Sequence, residues 1–196
     1  MASAFLERWL EEVVAAPGAT GIHDLGEARR ALLDDALRAV PIVKGCPGPV
    51  IDVGSGGGTP GIPLAVALPG RAFTLLESER RKCDFLSRIS AELPNVAVVW
   101  GRAEEQQTDA FGVVLGKALA KPPVAAELCL PLVRPGGIAI LWVGKTADSN
   151  RVEQVAEQLA AALDDDRDGL LVLRKLGPTP PGFPRRTGMA KKRPLA

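Results

Sequence analysis

Apolar and polar positions alternate along this chain with two different periods. Residues 3–15 and 24–40 keep apolar side chains at helical spacing; in the second stretch Ala28, Ala31, Leu32, Ala36, Leu37 and Val40 share a face. Pro17, Gly18 and Gly21 separate the two helices, and Cys46-Pro47-Gly48-Pro49 links them to the first short apolar run. Beyond that linker, short apolar runs alternate with amphipathic stretches. Val50–Gly54, Phe73–Glu77, Val96–Trp100, Phe111–Leu115, Gly137–Val143 and Gly169–Leu176 read as strands. Pro60–Leu68, Glu79–Leu93, Pro122–Val133 and Asn150–Leu163 read as helices, with Thr59 and Ser78 as N-caps of the first two and Pro60 at the first helical position. Strands alternating with helices predict a mostly parallel α/β sheet with right-handed crossovers and helices on both faces, preceded by a short helical cap. The expected boundaries are a cap over 1–45, a Rossmann-like core over 46–178 and a basic, proline-rich tail over 179–196, all within one domain.

The stretch Val50-Ile-Asp-Val-Gly-Ser-Gly-Gly-Gly-Thr-Pro-Gly-Ile-Pro63 spans the first strand and the loop after it, where such sheets hold ligands. Its glycines fit two registers. Gly56 to Gly61 matches G-x-G-x-x-G, the dinucleotide pattern; Asp52 to Gly58 matches D-x-G-x-G-x-G. A carboxylate at Asp52 would repel a pyrophosphate and would suit a ligand bearing an amino group and a sulfonium. Glu77, ending the second strand, is placed to accept both ribose hydroxyls, which NAD and other adenosine ligands share. With the preceding helical cap, these features favour S-adenosylmethionine and leave NAD as the other reading.

Composition narrows the chemistry. One histidine, His23, leaves little for a Ser-His-Asp triad or a His-based metal site, so no metal ligands are assigned. Three widely spaced cysteines, Cys46, Cys83 and Cys129, fit a reducing cytoplasm. No apolar run is long enough to span a membrane, and no membrane partner is expected. Net charge is +1, unevenly spread: Gly169 to Ala196 holds seven basic residues and no acid, leaving 17 basic against 23 acidic residues elsewhere. A basic tail on an acidic body is a candidate nucleic-acid contact; its bland alternative is a solvated, disordered tail. Trp100 and Trp142, within strand patterns, read as core.

The run Ile51 to Leu64, with its Pro-Gly-Ile-Pro-Leu continuation, resembles the first motif of the glucose-inhibited division protein B family of bacterial small-subunit rRNA methyltransferases. Phe73 to Ser78 followed by Arg81-Lys82 and Phe85-Leu86, Gly101 to Glu105, Phe183 to Gly188, and Lys192 to Leu195 are similar to later parts of that family. The resemblance implies a class I methyltransferase fold, S-adenosylmethionine as cofactor and guanine N7 of 16S rRNA, or of the small ribosomal subunit, as acceptor, in a monomeric cytoplasmic enzyme. Carried over by position, Gly54, Gly56, Gly58 and Thr59 would line the methionine side, and Asp52, assigned from its charge, is read as a cofactor-binding residue beside them. Glu77 would hold the ribose, and Ala103 and Glu104 would border the adenine. Lys117, in Gly116-Lys117-Ala118, stands where the family commonly has the arginine of Ser-Arg-Ala that reaches the cofactor. Arg185, Arg186, Lys191, Lys192 and Arg193 would contact RNA phosphates. No catalytic acid or base is assigned, because N7 carries a lone pair and no proton. The interval between Leu163 and Gly169 is short, so six strands are expected where the family has seven. A different methyl acceptor, or a non-catalytic RNA-binding relative, remains as an alternative.

Overall fold

The computed structural model describes residues 2–144 and 147–196 of the chain. Helix α1 (Ala2–Ala15) is followed by a continuous helical segment: α2 (Leu25–Ala28), a π-helical stretch over Arg29–Asp34, and α3 (Asp35–Leu37); α4 (Val40–Gly45) leads into the sheet. The sheet and its helices then run β1 (Val50–Val53), α5 (Gly61–Ala67), β2 (Phe73–Glu77), α6 (Arg80–Ile89), β3 (Val96–Trp100), β4 (Phe111–Lys117), α7 (Pro122–Cys129), β5 (Val133–Trp142), α8 (Ser149–Gln158), β6 (Ala161–Arg167) and β7 (Leu170–Lys175), with α9 (Met189–Lys192) in the tail.

The strand order is β3-β2-β1-β4-β5-β7-β6, parallel except for β7, which is antiparallel to both its neighbours. The chain reverses its direction of travel between β1 and β4, and a crevice opens there beyond the strand ends. Strand β1 is buried along its whole length, as expected of a central parallel strand covered on both faces. One apolar cluster joins Ile51, Val114 and Leu141 to α7 and α8; a second joins Leu64 and Phe73 to Val113 and Ile140. A third packs Trp9, Leu10 and Val13 of α1 against Leu32, Ile62 and Leu86. None of the described helices is long and apolar enough to cross a membrane.

Among the described residues the sheet has seven strands, not six. The helix expected over residues 150–163 stops at Gln158, and Ala160 turns the chain with φ +53°. Residues 161–167 form β6, hairpinned to β7 through Asp168-Gly169. Arg167 pairs directly with Leu170, and the two turn residues have φ +52° and +79°. Asp-Gly with both φ positive is what a two-residue type I′ hairpin requires, so the strand that periodicity misses has a local signal. Three acids in a row on β6 hide it, since aspartate is depleted in strands.

Two helix starts also differ. Helix α5 begins at Gly61 rather than Pro60, and Thr59 does not cap it: its hydroxyl donates to the Leu32 carbonyl at 2.7 Å. Helix α6 begins after Glu79, and no side chain caps it; the N–H groups of Ser78 and Glu79 donate to the Glu77 carboxylate instead.

The hairpin turn predicts a cost for side chains at Gly169. Its φ of +79° is strained for alanine, and a Cβ there would lie 2.9 Å from the Val143 carbonyl oxygen. Gly169→Ala should therefore lower stability by about 1–2 kcal/mol in urea denaturation. A variant as stable as the parent would contradict the turn geometry.

Candidate cofactor and acceptor site

The glycine loop leaves β1 just after Asp52, which is 1% exposed. Its Oδ2 accepts the Gly61 backbone N–H at 3.0 Å, tying the end of β1 to the start of α5 across the loop. Its Oδ1 is buried without a hydrogen-bond partner. Burial pushes the carboxyl up to about 7; the Gly61 N–H and the charge of Lys117 act against this, while Glu77 adds to it. Glycine is required at Gly61, where a Cβ would sit 2.3 Å from the Leu75 side chain and 2.8 Å from Asp52 Oδ2. At Gly56 the requirement is different: φ is +54° and the space beyond is open.

Glu77 lies at the parallel end of β2. Its Oε2 accepts the Gly56 N–H at 2.9 Å, and its Oε1 accepts the N–H groups of Ser78 and Glu79 at 2.7 and 2.8 Å. The carboxylate thus clamps the loop to the neighbouring strand. From behind, α1 supports the same loop through the indole N–H of fully buried Trp9, which donates to the Gly57 carbonyl at 2.9 Å.

A cleft of about 90 Å³ lies over the carboxyl ends of β1, β2 and β3, reaching Gly54, Ser78, Ala103 and Glu104 on the body and Gly188 and Lys191 on the tail. Gly54 and Gly58 have positive φ, and Leu119, from the loop after β4, covers Gly54 so closely that a Cβ there would lie 2.7 Å from it. Glu104 accepts the Gly188 N–H at 2.9 Å and so ties the tail to this rim.

Lys117 points elsewhere. Its ammonium forms an ion pair with Asp35 and donates to the Ala31 carbonyl at 2.6 Å, joining the end of β4 to the π-helical segment. Thr59, through Leu32, reaches that segment too. Both side chains anchor the helical cap, and a π-helical stretch in such a place is a common mark of a functional site.

The tail is folded onto the body. Ala190 is buried in the main apolar cluster, and Phe183, Leu195 and Ala196 pack against it. Arg185 makes a two-point ion pair with buried Glu127, both contacts at 2.6 Å, and also donates to the Arg193 carbonyl. The edge with which Arg185 would grip a phosphate is therefore taken by α7. Lys175, 1% exposed, donates to the Leu130 carbonyl and to Thr179, whose own N–H and hydroxyl donate to Asp109. Arg186, Lys191, Lys192 and Arg193 keep their charged groups outside any ion pair among the described residues.

Two features escape the sequence patterns. Trp100 is 60% exposed at the end of edge strand β3, its N–H donating to the Ser78 carbonyl at 3.0 Å and the Arg80 guanidinium lying 5.0 Å from the ring centre. Glu127 is the second; its signal is a single acid in the otherwise apolar run of α7.

Comparison with known proteins agrees with this geometry. A family model described as rRNA small subunit methyltransferase G matches residues 4–165. The chain belongs to this family. A ribosomal RNA small subunit methyltransferase G of a Synechococcus strain is 38% identical over 74% of the chain, a stretch that spans 63% of that relative's own length. The protein of the same description from Nostoc punctiforme is 34% identical over 90% of the chain and 82% of its own length. Among solved structures, the Thermus thermophilus 16S rRNA N2 G1207 methyltransferase in complex with AdoMet and guanosine superposes with a TM-score of 0.50 at 17% identity, covering 69% of this chain and 37% of that one. The fold is that of a class I methyltransferase, and S-adenosylmethionine is the cofactor of the family.

The buried Asp52 predicts a pH dependence. Its native value of about 7 exceeds the ordinary 3.8, so the native state holds the extra proton between those values. Stability gained from the protonated form is complete at low pH and falls away as pH rises to 7. A cationic ligand selects the ionised form, so S-adenosylmethionine affinity should rise about tenfold from pH 6 to pH 8 in calorimetry. Asp52→Asn should flatten that profile, weaken binding at pH 8 at least tenfold, by roughly the worth of a charged hydrogen bond, and raise thermal stability there. An Asn variant that binds as well as the parent at pH 8 would remove Asp52 from the site.

Proposed function

We propose that this chain transfers a methyl group from S-adenosylmethionine to guanine N7 in 16S rRNA. The observation that carries the proposal is the unpaired, buried Oδ1 of Asp52 at the switch point of a methyltransferase sheet. It matches the need of a ligand with an ammonium and a sulfonium, and it disfavours a pyrophosphate on the same loop. Gly54, Gly56 and Gly58 let the backbone approach the methionine portion. Ala103, Glu104 and Ser78 border the part of the cleft that suits an adenosine, and Glu77 holds the loop between the two.

S-adenosylmethionine supplies an already activated methyl group when bound. The acceptor nitrogen carries a lone pair and no proton, so the chain needs no general base. Its residues bind the two partners, orient them and exclude water. The free cleft of about 90 Å³ is below the ~300–1,000 Å³ usual for small-molecule sites. Leu119, lying over Gly54 at this cleft, would help keep water from the reacting end.

RNA would approach across the rim where Arg102, Lys191 and Lys192 are exposed and Trp100 presents its ring. A half-exposed indole fixed by its own N–H and flanked by a guanidinium suits stacking on an unpaired base.

Ribosomal RNA from cells lacking the native modification is the substrate that tests this. Labelled methyl should appear at N7 of one guanosine of 16S rRNA, located by mass spectrometry. Cofactor binding without transfer would replace the proposal with the non-catalytic RNA-binding reading. Trp100→Ala should weaken RNA affinity about tenfold, at the low end of the cost of losing one stacked base, with cofactor affinity within twofold. Replacing Lys191 and Lys192 with alanine should lower the slope of log affinity against log salt by about 1.5.

A further inference from the structure

A second hollow, of about 390 Å³, opens beside the cofactor cleft over the carboxyl ends of β4 and β5. Asp35, Arg38, Lys117 and Trp142 line it. Asp52 of β1 pairs with Leu115 of β4, two residues before Lys117, so the hollow and the glycine loop lie at adjacent strand ends. The side chains around it are unusually fixed for a surface depression. The Trp142 indole N–H donates to the Asp35 carbonyl at 3.3 Å, and the Lys117 ammonium lies 5.9 Å from the indole ring centre. Asp35 receives Lys117 on Oδ2 and Arg38 on Oδ1, the latter at 2.7 Å.

These contacts leave Asp35 with spare capacity of a particular shape. An ionised carboxylate offers about four acceptor positions, two on each oxygen. One position on each oxygen is used, so one on each remains, and the side chain keeps 28% of its surface exposed. The flanking cations fix its plane. A carboxylate with one acceptor position left on each oxygen can take two adjacent N–H donors. Among the RNA bases only guanine presents such a pair, its N1–H and its 2-amino group. Adenine and cytosine place a ring acceptor beside their amino group, and uracil has a single N–H between two carbonyls.

We propose that Asp35 is the residue that reads the acceptor base as guanine, accepting hydrogen bonds from N1–H and the 2-amino group, with the Trp142 indole as an apolar wall for the purine. This rests on the proposed guanine-N7 transfer. The geometry fits that reaction, because N7 lies on the side of the purine opposite the edge that Asp35 holds. Guanine gripped by that edge presents its N7 outward from Asp35 and leaves the attacking lone pair unencumbered. Lys117 and Arg38 act through Asp35 as positioning residues.

Inosine separates the roles. It keeps N7, O6 and N1–H and lacks only the 2-amino group. Once the acceptor position is mapped, RNA is assembled by ligation with guanosine or inosine there. The wild-type protein should methylate the inosine RNA at least tenfold less efficiently in kcat/KM, the loss of one hydrogen bond to a charged group. Asp35→Ala should methylate both RNAs slowly and with a guanosine-to-inosine ratio within about threefold of one. Asp35→Ser, which keeps a polar neighbour for Lys117, provides the same comparison if alanine loosens the helical cap, and calorimetry with S-adenosylmethionine reports that the fold is kept. A structural role for Asp35 would slow both RNAs equally and leave the wild-type ratio in place, and that result would overturn the assignment. Failure of the wild type to methylate any guanosine RNA would overturn the proposed reaction itself, a different outcome.

Discussion

A carboxylate buried at the end of a strand, with one oxygen hydrogen-bonded and the other unpaired, is costly to hold in place, and the surroundings of Asp52 are arranged around that cost. The bond from Gly61 N–H to Oδ2 sets the separation between β1 and α5. Gly61 lacks a side chain because Leu75 and Asp52 itself fill the space. Glu77 draws Gly56 toward β2, and Trp9 anchors Gly57 from behind. Each contact immobilises one part of the loop while leaving Asp52 Oδ1 unsatisfied. A buried acceptor left open at the switch point of a parallel sheet is stability given up, the usual exchange at functional sites.

The basic tail divides by the same logic of burial and pairing. Arg185 is committed to Glu127, and because Glu127 is almost fully buried, removing the arginine alone would leave an uncompensated buried charge and be strongly destabilising. Lys175, Asp109 and Thr179 make a second fastening. Between them and the Glu104–Gly188 contact the tail is held against the rim of the cleft, which places Lys191 there as a lining residue. A run of basic residues that looks uniform in composition thus contains structural charges and exposed ones, and only the exposed ones contribute to a salt-dependent attraction for phosphates.

How much of this is legible in the sequence depends on the range of the interactions involved. The glycine loop, Asp52 and the alternation of strands and helices are local patterns; the first four strands lie where periodicity puts them, and the fifth starts four residues early, at Val133. Strand β6 reads as helix because propensity argues against three aspartates in a strand, while the Asp168-Gly169 turn that decides the matter is two residues long. Periodicity assigns Trp100 to the core because it cannot tell a central strand from the end of an edge strand. The partners of Arg185, Lys117 and Thr59 lie 58, 82 and 27 residues away in the chain, and nothing in local spacing announces them. The position of Lys117 after β4 points to the cofactor, but a flexible lysine goes to the nearest unsatisfied acceptors, and the π-helical segment supplies them.

That segment bears on both halves of the proposed reaction. Leu32 receives Thr59 from the glycine loop, Ala31 and Asp35 receive Lys117 from β4, and the Asp35 carbonyl receives Trp142 from β5. Three structural elements that carry the cofactor loop and the acceptor hollow therefore converge on about one helical turn. In an ordinary α-helix the carbonyls are occupied by the ladder of backbone bonds; a widened turn is where side-chain donors are more easily accommodated. The helical cap is thus more than a cover on the sheet. It sets the position of Asp35 relative to the loop through contacts of 2.6 to 3.3 Å, and in-line transfer is sensitive to how its two partners are placed.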